Sequence, residues 1–211
     1  TWTRLDTGSV EPLFGIDFID AGNGWAVGAD GVILRTTDGG GSWATQASGT
    51  DIGINDVSFV DTSNGWVVGN GGLLLRTRDG GATWVPQDSQ TTDSLFGIDC
   101  VDASICFAVG GEPDANEPLQ SILRTFDGGE NWQPLLTADE PLFKVFALDA
   151  QRVWTVGDNG TILVTANGGN NWFYQDSGGF EALNGVAFRD AANGLIVGEA
   201  GLILRTDSGG N

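Results

Sequence analysis

Residues 34–43 read LRTTDGGGSW, and the same pattern returns three more times along the chain. The further copies read LRTRDGGATW at residues 75–84, LRTFDGGENW at 123–132 and LVTANGGNNW at 163–172. Together with Trp2, the tryptophans that close these copies are spaced 41, 41, 48 and 40 residues apart. We call this ten-residue pattern the box. A second element precedes it and reads NGWAVG at 23–28 and NGWVVG at 64–69. Five copies of about 42 residues thus account for the 211-residue chain, and such self-similarity indicates a repeat architecture.

Each copy has the signature of short β-strands. In the first copy, Ile16 and Phe18 alternate with other residues, and each apolar run is closed by Gly, Asn or Asp. This pattern predicts four strands in that copy, at about residues 13–20, 24–28, 31–36 and 42–47. Four strands in a repeat of about 40–45 residues are typical of one β-propeller blade. The predicted fold class is therefore all-β, a five-bladed β-propeller of four-stranded antiparallel blades.

The two ends of the chain predict how the ring closes. Residues 206–211 read TDSGGN and residues 1–2 read TW, so the two ends together make a split copy of the same box. We therefore expect the N-terminal strand to be the outer strand of the last blade, which leaves no large unpaired edge. The chain is expected to be one domain, 1–211, with blades at about 7–47, 48–89, 90–136, 137–176 and 177–211 plus 1–6. An open β-solenoid array is the alternative, which the split box disfavours.

The box, Thr-x-Asp-x-Gly-x-x-Trp, resembles the BNR or Asp-box repeat, and with NGWAVG it resembles the photosystem II stability/assembly-factor repeat family. The resemblance implies a propeller in which the box aspartates lie on the face opposite the ligand site. We expect each aspartate to accept backbone N–H groups in a tight turn and each tryptophan to pack between blades. These structural box residues are Asp38, Trp43, Asp79, Trp84, Asp127, Trp132, Asn167, Trp172, Ser208 and Trp2.

Arginine occupies one position of the repeat in four of the five copies: Arg35, Arg76, Arg124 and Arg205. In the family that the repeat resembles, arginines contribute to a patch for a partner peptide. The strong acid excess of this chain favours a different interpretation. We expect each arginine to pair with a neighbouring aspartate and to cover apolar surface with its stem.

Composition excludes several functions. The chain has 9 basic and 28 acidic residues, a net charge of −19, which argues against nucleic-acid binding and against docking on anionic lipid. Histidine is absent, which removes the usual catalytic triads and most zinc sites, so no catalytic residue, metal or cofactor is predicted. No apolar run approaches the ~18 residues of a membrane span. Methionine is also absent, even at position 1, which predicts a processed or excised segment.

The two cysteines, Cys100 and Cys106, align with Phe18 and Gly24 of the first copy, on two adjacent predicted strands. A cross-hairpin disulfide is therefore expected, with two buried thiols as the alternative. A disulfide implies an oxidising compartment, and we expect a secreted, periplasmic, lumenal or cell-surface location.

The binding site is expected on the face opposite the boxes. The third copy carries the only long insertion there, and acids and three phenylalanines collect on that side of the repeat. The predicted binding residues are Phe14, Asp30, Phe96, Glu112, Asp114, Glu117, Phe143, Asp158 and Glu199. The acid excess favours a protein or peptide partner that is cationic. The alternatives are a lectin-like glycan site, or a glycoside hydrolase that uses the carboxylates of Asp17 and Asp99.

Overall fold

The computed structural model describes residues 1–111, 122–136 and 138–210, and within them the chain forms five separate antiparallel sheets. Blade one holds β1 (Leu13–Phe18), β2 (Gly24–Gly28), β3 (Ile33–Thr36) and β4 (Ala44–Gln46). Blade two holds β5 (Ile54–Phe59), β6 (Gly65–Gly69), β7 (Leu74–Thr77) and β8 (Val85–Pro86). Blade three holds β9 (Leu95–Cys100), β10 (Cys106–Gly110), β11 (Ile122–Thr125) and β12 (Gln133–Leu136). Blade four holds β13 (Leu142–Ala147), β14 (Val153–Gly157), β15 (Ile162–Thr165) and β16 (Phe173–Gln175). Blade five holds β17 (Leu183–Phe188), β18 (Gly194–Gly198) and β19 (Ile203–Thr206).

Each blade is a meander in which consecutive strands pair, so strand order follows chain order. The inner strands β1, β5, β9, β13 and β17 pack against one another in that sequence. The prediction of an all-β fold with five repeated antiparallel sheets is confirmed. No helix in the described part of the chain is long and apolar enough to cross a membrane.

The box turn between the third and fourth strands is closed by its own side chains. In blade one, Asp38 Oδ1 accepts the amide of Ser42 at 2.8 Å, and Thr36 Oγ1 accepts the amide of Gly40 at 2.9 Å. Gly39 and Gly40 have φ angles of 72° and 90°, a region that side chains disfavour, which explains the paired glycines. The hydrogen bonds lower the pKa of Asp38 to about 2.

The blades are joined by a tryptophan that the box pattern does not include. Trp25 on β2 stacks on Phe59 of blade two, with ring centroids 3.5 Å apart, and its Nε1 donates to the carbonyl of Gly80 at 3.3 Å. The equivalent donors Trp66 and Trp154 reach Gly128 and Gly209 at 3.2 Å each. The box tryptophan Trp84 meets the edge of the same Phe59 ring at 5.9 Å. Each of these interfaces therefore buries one large ring and also satisfies its N–H group.

The disulfide expected in blade three is present between Cys100 and Cys106. In blades one, two and five the same two positions hold a phenylalanine lying over a glycine. A Cβ on Gly65 would lie 2.4 Å from the Phe59 ring, so the ring needs a glycine beneath it. The disulfide thus occupies the place of the Phe–Gly pair, within the apolar cluster that holds Trp66.

The predicted closure of the ring is wrong in this structure. Residues 1–12 contain no strand, Trp2 is fully exposed, and blade five has three strands within the described residues. Trp2 therefore does not fill the split box that Thr206 and Ser208 begin. Blades one and five also do not cover each other: each leaves exposed the apolar face that is buried between the other neighbouring blades.

The equivalence between the disulfide and the Phe–Gly pair can be tested by substitution. Replacing both cysteines with alanine should lower the free energy of unfolding by about 2–3 kcal/mol through the lost loop constraint. The variant Cys100→Phe/Cys106→Gly should regain part of this loss, because a ring at position 100 can stack on Trp66 as Phe59 stacks on Trp25. Urea unfolding followed by tryptophan fluorescence measures both. A Phe/Gly variant that is less stable than the double alanine variant would refute the equivalence.

Candidate functional site

The two faces of the blade array differ in the backbone hydrogen bonds that their loops make. On one face, the loop between the second and third strands bonds to the residue before the inner strand: the amide of Ala29 donates to Pro12, and the amide of Asp158 donates to Pro141. On the other face, the box turn bonds to the turn between the first and second strands, as Gly39 does to Gly22. We call these the variable face and the box face. The predicted binding residues that the structure describes begin inner strands or lie in these loops, and so belong to the variable face.

Acidic side chains form the rim of the variable face. Asp30 and Glu199 are exposed, and Asp158 is half-buried and accepts the amide of Asn159 at 2.8 Å. Asp30 has a φ of 53°, a left-handed conformation that aspartate tolerates better than most residues. Asp30 and Glu199 are thus held on short, tight loops but project into solvent. Glu112, Asp114 and Glu117 lie outside the described residues.

Two of the three predicted phenylalanines are brought together. Phe96 and Phe143 begin the inner strands of blades three and four, and their rings meet edge to face at 6.0 Å. Phe14 is exposed on blade one and is separated from this pair by blade two, where Asn55 holds the equivalent position. Asn55 donates to the carbonyl of Leu95 at 2.9 Å and so ties blade two to blade three. The half-buried Phe96–Phe143 pair offers an apolar surface beside the acidic rim.

Inside the array, acidic side chains of one inner strand bond to the backbone of the next. Asp17 accepts the amide of Phe59 at 2.6 Å, and Asp99 accepts the amide of Ala147 at 2.8 Å. Ser58 fills the same position in blade two and accepts the amide of Cys100 at 3.2 Å. These two aspartates, the hypothetical catalytic pair, are therefore both used to join blades.

A cross-blade ion pair lies beside them. Lys144 Nζ donates to Asp56 Oδ2 at 2.6 Å, and the same carboxylate oxygen accepts the amide of Ile98 at 3.0 Å. Asp56 is buried and Lys144 is half-exposed. Lys144 comes from blade four and Asp56 from blade two, so the contact spans the inner strand of blade three. The Lys144 ammonium is thus held by an inner carboxylate.

The pKa values of Asp99 and Asp17 are raised in this cluster. Burial raises the pKa of Asp99 to about 6, the amide of Ala147 and the charge of Lys144 oppose that rise, and the negative charges of Asp56 and Asp17 add to it. Burial also raises the pKa of Asp17, which the amide of Phe59 opposes. Desolvation dominates in both cases, as expected for carboxyl groups packed between strands. In the described residues, no group of three or more His, Cys, Asp or Glu side chains could hold a metal ion.

Within the described residues, the repeat arginines Arg35, Arg76, Arg124 and Arg205 form no ion pair with an aspartate, contrary to the prediction. Arg76 lies over the Trp66 ring at 5.1 Å and donates to the carbonyl of Ala103 at 3.5 Å, and its ion pair is with Glu130 at 3.7 Å. Arg124 donates to the carbonyl of Gly168. The aspartates of the boxes close their own turns, and Arg76 and Arg124 bond instead to turn carbonyls of the next blade.

The Asp56–Lys144 pair was not predicted from the sequence, because the two residues are 88 positions apart. One signal was present: the same position holds glycine in the other three copies, Gly15, Gly97 and Gly185. A Cβ on Gly97 would lie 3.1 Å from Lys144 Cα, so this position is where neighbouring inner strands approach closely. A side chain there in only two copies marks a specific contact.

The repeated sheets and their inter-blade contacts define the class: the chain is an array of BNR-repeat propeller blades. Its sequence matches the family described as photosynthesis system II assembly factor YCF48, over residues 1–84 and 45–172, and the chain belongs to that family. Comparison with curated protein sequences gave no match.

Solved structures show the same fold. YCF48 bound to D1 peptide is 21% identical, with 98% of this chain and 81% of that chain covered and a TM-score of 0.54. YCF48 from Cyanidioschyzon merolae is 20% identical, with 99% and 85% covered and a TM-score of 0.51. A GH74 enzyme from Niastella koreensis is 14% identical, with 94% of this chain and 37% of that chain covered and a TM-score of 0.76. At these identities the likeness shows the fold alone.

The raised pKa of Asp99 predicts a pH dependence of stability. The folded protein binds the Asp99 proton more tightly than the unfolded chain, so this contribution is complete below about pH 4 and is lost as pH rises through about 6. Asp99→Asn keeps an oxygen acceptor and cannot ionise. Relative to this variant, the wild type should lose about 2–3 kcal/mol of unfolding free energy between pH 4 and pH 6.5.

Urea unfolding at several pH values measures this difference. The control is Asp30→Asn, a substitution at an exposed rim position, whose curve should run parallel to that of the wild type. If the wild type and Asp99→Asn keep a constant difference across this pH range, the burial of Asp99 does not govern its ionisation.

Proposed function

We propose that this chain is a non-catalytic binding module that holds a protein or peptide partner on its variable face. The observation that carries the proposal is the contrast between the two faces. The box face uses its aspartates and glycines to close turns, while the variable face presents Asp30 and Glu199 to solvent and also carries the Phe96–Phe143 pair. A peptide-bound structure of a similar fold, YCF48 bound to D1 peptide, supports a peptide as the kind of partner.

The charge of the chain favours a cationic peptide. With a net charge of −19, the protein attracts positively charged partners over a distance of about one Debye length, ~8–10 Å at moderate salt. The aromatic pair adds an apolar surface, and its ring faces suit lysine or arginine side chains. A basic segment that carries apolar residues therefore fits this face best.

The inner carboxylates support a non-catalytic function. A glycosidase needs two carboxyl groups that flank a substrate across a cleft. Asp17 and Asp99 each accept an amide from the next blade, so both contribute to the packing of inner strands. The disulfide supports an oxidising compartment, and we extend the proposal to a secreted, periplasmic, lumenal or cell-surface location.

Peptide binding can be tested with two labelled peptides of equal length, one rich in lysine and leucine and one rich in glutamate and leucine. Fluorescence anisotropy should show binding of the basic peptide only, and its affinity should fall about tenfold or more when salt is raised from about 50 to 500 mM. A glycan array with the same protein examines the lectin alternative. Binding of glycans but not of the basic peptide would replace the proposal with that alternative.

The face is identified by two variants that change the net charge equally. Asp30→Asn/Glu199→Gln removes two acids from the variable face and should weaken binding of the basic peptide several-fold. Glu130→Gln/Asp207→Asn removes two acids from the box turns and should leave affinity within about twofold of wild type. Equal weakening by both variants would mean that net charge alone attracts the peptide, and that the variable face is not its site.

A further inference from the structure

The first blade presents an apolar face that is covered at every other blade. Leu13, Ile16 and Phe18 are between 41% and 63% exposed. The equivalent residues of blade two, Ile54, Val57 and Phe59, are at most 6% exposed, because blade one packs against them. Within the described residues, no blade covers this half of the repeated interface.

The last blade presents the complementary half. Leu195, Val197 and Ile203 of blade five are between 48% and 67% exposed. Their equivalents in blade one, Trp25, Val27 and Ile33, are completely buried against blade two. The two ends of the array thus expose opposite sides of one repeated interface, which is built four times within the chain.

The N-terminal segment already lies where a preceding blade would place its outer strand. In the other blades, the third residue after the box tryptophan contacts a glycine in the box of the next blade. A Cβ on Gly81 would lie 2.0 Å from Gln46, and one on Gly129 would lie 2.8 Å from Gln87. Leu5 is the third residue after Trp2, and its Cδ1 would lie 3.9 Å from a Cβ on Gly40 in blade one.

Blade five offers the place for such a strand. A groove runs beside β19 and is lined in part by Phe188, Ile196, Leu204, Thr206 and Gly210. Within the described residues, β19 pairs only with β18, so its outer edge can accept a strand. Exposed strand edges are templates for the addition of a strand from another chain.

We propose that two copies of this chain associate head to tail, with blade five of one copy packed on blade one of the next. In this contact, residues 1–6 of the second copy would pair with β19 of the first copy, and Trp2 would complete its box. A second copy fits because the chain itself carries both halves of the interface, and the four internal interfaces show that these halves are complementary. Such a contact is heterologous, since different surfaces of the two copies meet.

The proposal predicts a salt dependence opposite to that of peptide binding. Each copy carries a charge of −19, so screening should favour the contact between copies and oppose the binding of a basic peptide. Sedimentation velocity on the 211-residue chain, at about 1 to 200 μM and in low and high salt, measures this association. Species larger than the 22.0 kDa monomer should grow with concentration and with salt.

Two variants separate this contact from other modes of association. Ile16→Asp places a charge on the apolar blade-one face, and Leu195→Asp places one on the apolar blade-five face. Each variant alone should be monomeric at concentrations where the wild type associates. Mixed in equal amounts, they should form a dimer, because each contributes the face that the other lacks. Hydrogen exchange in that mixture should show protection of the amides of residues 3–6 in the Leu195→Asp copy only.

The matched control is Val85→Asp, an equally large change at an exposed apolar position on the outer strand of blade two. It should associate as the wild type does. A wild type that stays monomeric at about 200 μM, a mixture that forms no dimer, or a control that also becomes monomeric would each overturn the proposal. A monomer whose residues 3–6 are protected would show instead that the segment pairs with blade five of its own chain.

Discussion

The packing of the blades depends on a contact that recurs at three of the four interfaces, the indole N–H of one blade donating to a turn carbonyl of the next. Trp25, Trp66 and Trp154 make this contact at 3.2–3.3 Å. The carbonyl is available because the box side chains hold the turn: the aspartate and the threonine bind its amides, and two glycines adopt the positive φ angles. The box therefore also stabilises the interface with the neighbouring blade, because its turn presents a glycine carbonyl that accepts the indole N–H. The box aspartates are therefore engaged in closing their own turns.

Much of the fold could be predicted from the sequence because each blade repeats the same strand pattern and the same box turn. The predicted strand at residues 24–28 coincides with β2, and the predicted disulfide joins the two strands expected. Closure could not be predicted in the same way. The split box shows that residues 1–6 have the sequence of an outer strand, but the sequence does not state where blade five lies relative to blade one. That position depends on how each blade packs on the next, as in the stacking of Trp25 on Phe59.

The candidate site was predicted in part for a related reason. The loops of the variable face and the Phe96–Phe143 pair follow from strand direction, since inner strands that start on one face bring their first residues together there. The cluster of Asp17, Asp56 and Asp99 with Lys144 does not follow, because it depends on how closely inner strands approach. The arginine pairing was wrong for a similar reason: counting acids suggested aspartate partners, whereas the structure offers turn carbonyls.

The acidic side chains discussed above lie in three different environments. The box aspartates accept hydrogen bonds that lower the pKa of Asp38, Asp79 and Asp127 to about 2, so their carboxylates are ionised at neutral pH while they close the turns. The inner aspartates are desolvated, and the pKa of Asp99 is raised to about 6. Asp30 and Glu199 differ from both groups because they extend into solvent on the variable face. These exposed box aspartates keep their negative charge, so the box face also contributes to the net charge of −19. Asp30 and Glu199 take no part in the box turns, so substitutions at these two exposed positions should leave the packing of the blades intact.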